Sequence, residues 1–211
     1  MKVNEIFRSI QGESSFAGRP CTFVRLTGCN LRCVWCDTAY AFYEGADMTI
    51  EAIVERVRAY GVPLVEVTGG EPLLQADVLP LMSRLSDLGY TVLLETGGSL
   101  PVERVDPRVV KIVDLKCPGS GEADRNLWEN LAWIRPPDEI KFVVASRADY
   151  EWARRAIREH SLDQRAGLLI SPVHDAVDLE ELAGWILEDG LPVRFQVQLH
   201  KLIYGADRRG V

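Results

Sequence analysis

Cys29, Cys33 and Cys36 lie in one short stretch, Cys29-Asn30-Leu31-Arg32-Cys33-Val34-Trp35-Cys36, with spacers of three and two residues. Three thiolates converging from one loop can hold three irons of a 4Fe-4S cube, whereas an ordinary electron-transfer cube takes four cysteine ligands. One iron is then left open to a small chelating ligand. A structural zinc knot is the other reading of clustered cysteines, but such sites close with four ligands and usually pair two half-sites. No second Cys-x-x-Cys occurs. Cys21 and Cys117 stand alone in apolar surroundings and read as small core residues rather than ligands.

The amino and carboxylate groups of S-adenosylmethionine fit an open iron. A second segment, Thr68-Gly69-Gly70-Glu71-Pro72, follows an apolar run; glycines there let backbone carbonyls and amides approach a ligand without Cβ atoms in the way, which suits an ammonium group. Gln11 and Glu13 flank Gly12 and offer donors and acceptors for the edge of a pterin or purine-like ring. Arg25, just before the thiol loop, is either a bidentate fork for a carboxylate or one half of a rim ion pair.

Cys-x-x-x-Cys-x-x-Cys with Trp35 before the last cysteine resembles the signature of the radical S-adenosylmethionine superfamily. The flanking segments narrow the resemblance to the 7-carboxy-7-deazaguanine synthase family of queuosine and deazapurine biosynthesis. Ser9-Ile10-Gln11-Gly12-Glu13 is similar to that family's amino-terminal substrate motif, where the next residue is often glycine and here is Ser14. The resemblance implies substrate contacts from Ile10, Gln11, Gly12, Glu13, Arg25 and Thr68, with His200 and Val211 of the tail closing over the substrate. It implies S-adenosylmethionine contacts from Trp35, Cys36 and Asp37 and from Gly69, Gly70 and Glu71. Two less similar segments join them: Asp114-Leu115-Lys116, whose first position is often serine in the family, and Ser171-Pro172-Val173-His174. The resemblance also implies Mg2+ on the Thr38 hydroxyl, in keeping with that ion's preference for hard oxygen ligands; a helix cap is the alternative for this threonine. His200, flanked by leucines, also reads as a core histidine, and His174 as a surface one.

By that resemblance the chain is a lyase. A reduced 4Fe-4S cube cleaves S-adenosylmethionine to a 5'-deoxyadenosyl radical, which takes hydrogen from 6-carboxy-5,6,7,8-tetrahydropterin; ring contraction and loss of ammonia give 7-carboxy-7-deazaguanine. The implied partners are an electron donor such as flavodoxin or ferredoxin and a second copy in a homodimer. Two other readings remain open at this stage. A different radical enzyme, such as a glycyl-radical activase, would share the thiol loop but not the pterin-reading start, and a plain iron-sulfur carrier would need a fourth protein ligand.

These residues need strand ends to hold them. The pattern predicts strands over residues 21–27, 64–68, 90–95, 109–115, 139–145, 167–170 and 193–197, and an amino-terminal strand before Gln11. Helices are expected from Thr49 to Gly61, after Pro72, from about Ala148, and around Leu179 to Ile186. Such alternation implies parallel pairing through right-handed crossovers, with the site at the carboxyl ends of the strands. A full eight-unit barrel needs about 250 residues, so an incomplete parallel β/α barrel is expected. The resemblance implies about six core strands. No low-complexity linker divides residues 1–211, which read as a single domain.

The bulk numbers agree with a globular enzyme: 211 residues, 47% hydrophobic and 26% charged. A net charge of -7, with no basic block beyond Arg154-Arg155 and Arg208-Arg209, lacks the electrostatic footprint for nucleic acid. A small-molecule substrate is expected instead. No apolar run approaches the roughly 18 residues of a membrane span, and Met1-Lys2-Val3-Asn4-Glu5 lacks the order of a signal peptide. Free thiols and an iron-sulfur site suit a reducing compartment, so a cytoplasmic location is expected.

Overall fold

Runs rich in valine, isoleucine and leucine, bounded by glycine and polar segments, form strands because branched side chains fit a pleated, half-buried surface. The computed structural model describes residues 1–206 and 208–211, and nine such strands pair there into one sheet. They are β1 (Lys2–Ile10), β2 (Pro20–Leu26), β3 (Ala46–Asp47), β4 (Leu64–Gly69), β5 (Thr91–Thr96), β6 (Val110–Asp114), β7 (Glu139–Val144), β8 (Gly167–Pro172) and β9 (Arg194–Phe195). Their order is β3-β1-β2-β4-β5-β6-β7-β8-β9. The first strand runs antiparallel to β2 and β3, whereas every pairing from β2 onward through β4 to β9 is parallel. The sheet does not close on itself. Six parallel strands of five to seven residues carry it; the expected last strand shrinks to two residues.

Helices α1 (Ile50–Tyr60), α2 (Val78–Asp87), α3 (Arg147–Glu159) and α4 (Leu179–Asp189) cover the outer face, and a short α5 (Leu199–Tyr204) follows β9. Helix ends are set chemically. Thr49 accepts from the Ala52 N–H at the start of α1, and Gly61, at φ 67°, ends it in the left-handed conformation. The alternating beat lapses twice: neither the β5–β6 nor the β6–β7 crossover holds an α-helix, and the latter carries only 3-10 turns. Both segments are punctuated by glycine and proline, including Pro101, Pro107, Pro118, Pro136 and Pro137, which break helical hydrogen bonding. Among the described residues no helix is long and apolar enough to cross a membrane.

Period-two alternation gives the sheet two different faces. Val65 and Val67 of β4 join the outer core with Ile53, Leu81 and Leu85 of the helices. Leu64 turns to the concave side, where it packs with Cys21, Phe23, Leu93, Ile112 and Leu169 into an apolar floor. Cys21 and Cys117 are both buried, one on each side of the sheet. Above that floor, at the carboxyl ends of the strands, the same concave face becomes polar.

Candidate active site

A cavity of about 240 Å³ opens there. All three thiols of the 29–36 loop line it, each half-buried. Backbone bonds fix the loop: Gly28 N–H donates to Ala41 O (2.9 Å), Val34 N–H to Ser120 O (3.0 Å) and Cys36 N–H to Cys33 O (3.2 Å). Leu31 N–H points at Cys29 Sγ, 3.4 Å away. Burial pushes the Cys29 and Cys33 thiols up, and the nearby Lys116 ammonium opposes that rise. A bound cationic metal would deprotonate such thiols outright.

The donor set fits a cube held at three corners. Among the described residues no three His, Cys, Asp or Glu groups gather closely enough to hold a single metal ion. The two other cysteines are buried in the cores and do not line the cavity.

The Gly69-Gly70 turn lines the cavity and meets this loop from β4, where glycine also serves close packing. A Cβ on Gly69 would lie 2.9 Å from Leu26 N and closer still to Leu26 O; one on Gly70 would run into Gly28 O and sit 2.7 Å from Cys29 Cβ. The bare backbones let the turn press on the root of the thiol loop, where Gly70 N–H donates to Leu26 O (3.2 Å) and Glu71 N–H to Gly28 O (2.8 Å). Glu71 does not line the cavity. Its carboxylate, 1% exposed, turns inward and accepts from Leu73 N–H (3.0 Å), Thr96 Oγ1 (2.9 Å) and Gly97 N–H (2.8 Å). It therefore straps the turn after β4 to the turn after β5 instead of presenting its side chain to a ligand.

Trp35, Asp37, Thr38, Asp114 and Lys116 line the cavity. Lys116 Nζ donates to Asp114 Oδ2 at 2.8 Å, leaving Asp114 Oδ1 buried without a partner. Burial works to lower the Lys116 pKa, but the charge and hydrogen bond of Asp114 together with the Cys33 charge outweigh it and the ammonium is held. Thr38 precedes a 3-10 turn yet makes no capping bond; its hydroxyl lies 3.7 Å from Cys36 Sγ. Of the Ser171–His174 segment, Val173 and His174 reach the cavity, while Ser171 is buried behind it with an unpartnered hydroxyl.

On the opposite wall stand Ile10, Gln11, Gly12, Glu13, Arg25 and Thr68, with His200 and Val211 from the tail. Gln11 donates to Glu66 and accepts from Glu13 N–H (3.0 Å). Arg25 commits Nε to Glu5 Oε1 (2.8 Å) and lies between the Phe7 and Tyr40 rings, each 5.9 Å from its guanidinium carbon. Among the described residues Glu5 is the one hydrogen-bond partner of this guanidinium. Ser14 sits at φ 64°, the left-handed region where the family often has glycine; its hydroxyl accepts from Phe16 N–H at 3.1 Å, which offsets part of the strain. The tail is anchored over Gly12: Leu199 N–H donates to Gly12 O (3.0 Å), and the His200 imidazole occupies the space a Cβ on Gly12 would need. Burial lowers the His200 pKa, favouring a neutral ring. Lys201 also pairs with Asp37 at 2.7 Å, tying tail to thiol loop.

Among the cavity residues given no role by the sequence expectations are Glu66, Glu95, Lys141 and Gln198. Lys141 Nζ donates to Glu13 Oε2 (2.8 Å) and to Glu95, with Asp114 Oδ2 at 4.0 Å; Gln198 Nε2 donates to Glu13 Oε1 (2.7 Å). Burial and then the neighbouring Glu95 and Glu13 charges push Glu66 up to about 8. Burial likewise raises Glu95 to about 7 against the pull of Lys141. Burial also opposes ionisation of Glu13, but Lys141 outweighs it and brings the carboxyl down to about 2.

A three-thiol loop at the mouth of an open parallel barrel defines the class, and the radical SAM superfamily model matches residues 23–112. The 7-carboxy-7-deazaguanine synthase of Chlorobaculum tepidum is 51% identical over 214 residues, covering 100% of this chain and 97% of that protein. The enzyme of the same name from Koribacter versatilis is 48% identical, covering 100% of both. A crystal structure of QueE from Escherichia coli superposes with a TM-score of 0.78 at 25% identity over 93% of each chain. The chain belongs to the 7-carboxy-7-deazaguanine synthase family.

Proposed function

We propose that the chain converts 6-carboxy-5,6,7,8-tetrahydropterin to 7-carboxy-7-deazaguanine with loss of ammonia. The observation that carries this reading is that three thiols, the Arg25 guanidinium and the Glu13 carboxylate line one cavity. Cys29, Cys33 and Cys36 would hold the 4Fe-4S cube. When bound with S-adenosylmethionine, it supplies a carbon-centred radical able to take hydrogen from the substrate.

The chain's own residues then orient and shield. The Gly69-Gly70 backbone and the Asp114–Lys116 pair flank the cofactor side. Arg25 grips the substrate carboxylate, Glu13 and Thr68 meet the ring, and His200 and Val211 close the tail over it and keep water out. Gln11, nearly buried and bonded to Glu66, acts on the ring chiefly by fixing Glu13. Thr38 offers a hydroxyl to Mg2+, whose shell substrate oxygens and water would complete. Val34 at the tip of the thiol loop is 78% exposed, which supports access by a small reductant such as flavodoxin or ferredoxin. Five free cysteines suit a reducing cytoplasm, and a homodimer is carried from family resemblance.

Anaerobic turnover tests the reading. Iron-loaded protein given S-adenosylmethionine, a reductant and the pterin is expected to yield a product lighter by one ammonia, identified by mass and ultraviolet spectrum. Cleavage of S-adenosylmethionine with the pterin recovered intact would overturn the substrate assignment.

A further inference from the structure

We infer that Lys141 is a positioning residue for the reaction: from the centre of the concave sheet it holds the Glu13 carboxylate ionised and aimed at the substrate. The inference rests on the proposed role of Glu13.

Lys141 lies in the middle of β7, within Glu139-Ile140-Lys141-Phe142-Val143-Val144. Its side chain is 7% exposed, yet it meets three carboxylates from three separate segments: Glu13 of the amino-terminal turn, Glu95 of β5 and Asp114 of β6. An ammonium has three protons to give, and these acceptors surround it. A buried ion pair is poor evidence for stability, because apolar side chains of similar volume do as well or better. The same strands show this directly. One layer down, the concave face carries Leu64, Leu93, Ile112 and Leu169 with Glu139 of β7 beside them, so most of that layer packs without charge. Around the cavity the concave face brings Glu66, Glu95, Asp114 and Lys141 together.

The groups facing Glu13 define what Lys141 does. Burial disfavours its ionisation; Lys141 from β7 and, more weakly, His200 from α5 favour it, Gln198 donates without charge, and the Glu13 charge in turn pushes up Glu66 of β4 and Glu95 of β5. Lys141 is the one full cation in bonding contact with Glu13 among the described residues. Without it, burial would carry the Glu13 pKa up toward the neutral range. A protonated Glu13 would present a donor on one oxygen where the substrate is to meet acceptors on both.

The test compares wild type, Lys141→Met, Lys141→Gln and Lys141→Arg with the pterin as variable substrate. The ratio of wild-type to Lys141→Met kcat/KM is expected to widen by roughly tenfold or more from about pH 8 to about pH 6, with the loss mainly in KM. Lys141→Arg, which keeps the charge, is expected to recover most of the activity. If Lys141→Met does not fold, Lys141→Gln is read the same way, as it keeps a donor of near length without the charge. In a Glu13→Gln background, removing Lys141 is expected to add less than about threefold, because the group it acts on is already gone.

A ratio constant across pH, or full additivity with Glu13→Gln, overturns the inference while leaving the proposed substrate intact, provided Glu13→Gln alone is impaired. A Glu13→Gln enzyme as active as wild type overturns it differently, by removing the role of Glu13 itself.

Discussion

Cys33→Ala is expected to abolish turnover while the protein still folds. Cys33 is half-buried at the cavity wall and makes no contribution to either apolar core, so removing its sulfur takes little from stability. It does take away one of three corners. With two thiolates left, half the irons of a cube would have no protein ligand, and iron content after anaerobic reconstitution is expected to fall along with activity. Cys117→Ala provides the opposite pattern. That thiol is 1% exposed within the outer core, so its loss costs about 1 kcal/mol of stability and is expected to leave iron content and turnover near wild type. Product formation by Cys33→Ala at a wild-type rate would remove the thiol loop from the mechanism.

The second large effect comes from a residue with no chemistry of its own. Gly70→Ala adds one carbon between two loops whose backbones already touch: the new Cβ would sit 2.7 Å from both Cys29 Cβ and the Gly28 carbonyl carbon. These are backbone and near-backbone atoms, so no flexible side chain can swing aside, and the thiol loop must retreat from the β4 turn. Overpacking of this kind typically costs about 1–3 kcal/mol, a tolerable loss for the fold. For the reaction, a shift of about 1 Å between groups that must act together can cost roughly a hundredfold. A fall in kcat/KM of about that size is therefore expected, with a much smaller change in urea midpoint. Gly184→Ala serves as the reference, since a Cβ there meets nothing within 4 Å and its activity is expected to stay unchanged. Equal activity of Gly70→Ala and Gly184→Ala would show that the close contact of the two loops is unimportant.

Much of the frame is legible in the sequence because it depends on local chemistry. Apolar runs ending in Gly-Gly or Asp-x-Lys mark strands whose carboxyl ends carry polar groups, and Thr49, Gly61 and Gly190 set helix ends through capping and left-handed turns. The thiol spacing is likewise local. Other features depend on which strands become neighbours. Glu66 and Glu95 are lone charges in apolar strands and Lys141 shares β7 with Glu139, and a charge in such a run is a signal. Its meaning emerges only from the register, in which Asp114 pairs with Lys141 and Glu66 with Leu93, stepping the charged layer up the sheet.

Side-chain direction is the other blind spot. The Gly-Gly-Glu turn reads as bare backbone open to a ligand; its glycines line the cavity but also press on the thiol loop, and Glu71 faces the β5 turn. Both outcomes follow from the packing of one loop against another, which neither segment encodes alone. The helix-free crossovers around β6 have a simpler cause in their prolines and glycines, and they leave the parallel pairing undisturbed.

An open metal corner is the centre of this mechanism, and electron paramagnetic resonance reads it directly. The spectrum of the anaerobically reduced, iron-loaded protein is recorded before and after adding S-adenosylmethionine, without the pterin. The expected result is a reduced 4Fe-4S signal whose shape changes when the cofactor binds the iron that no cysteine reaches. A signal unmoved by saturating cofactor would mean that the fourth corner is capped by the protein, and would contradict the proposed chemistry.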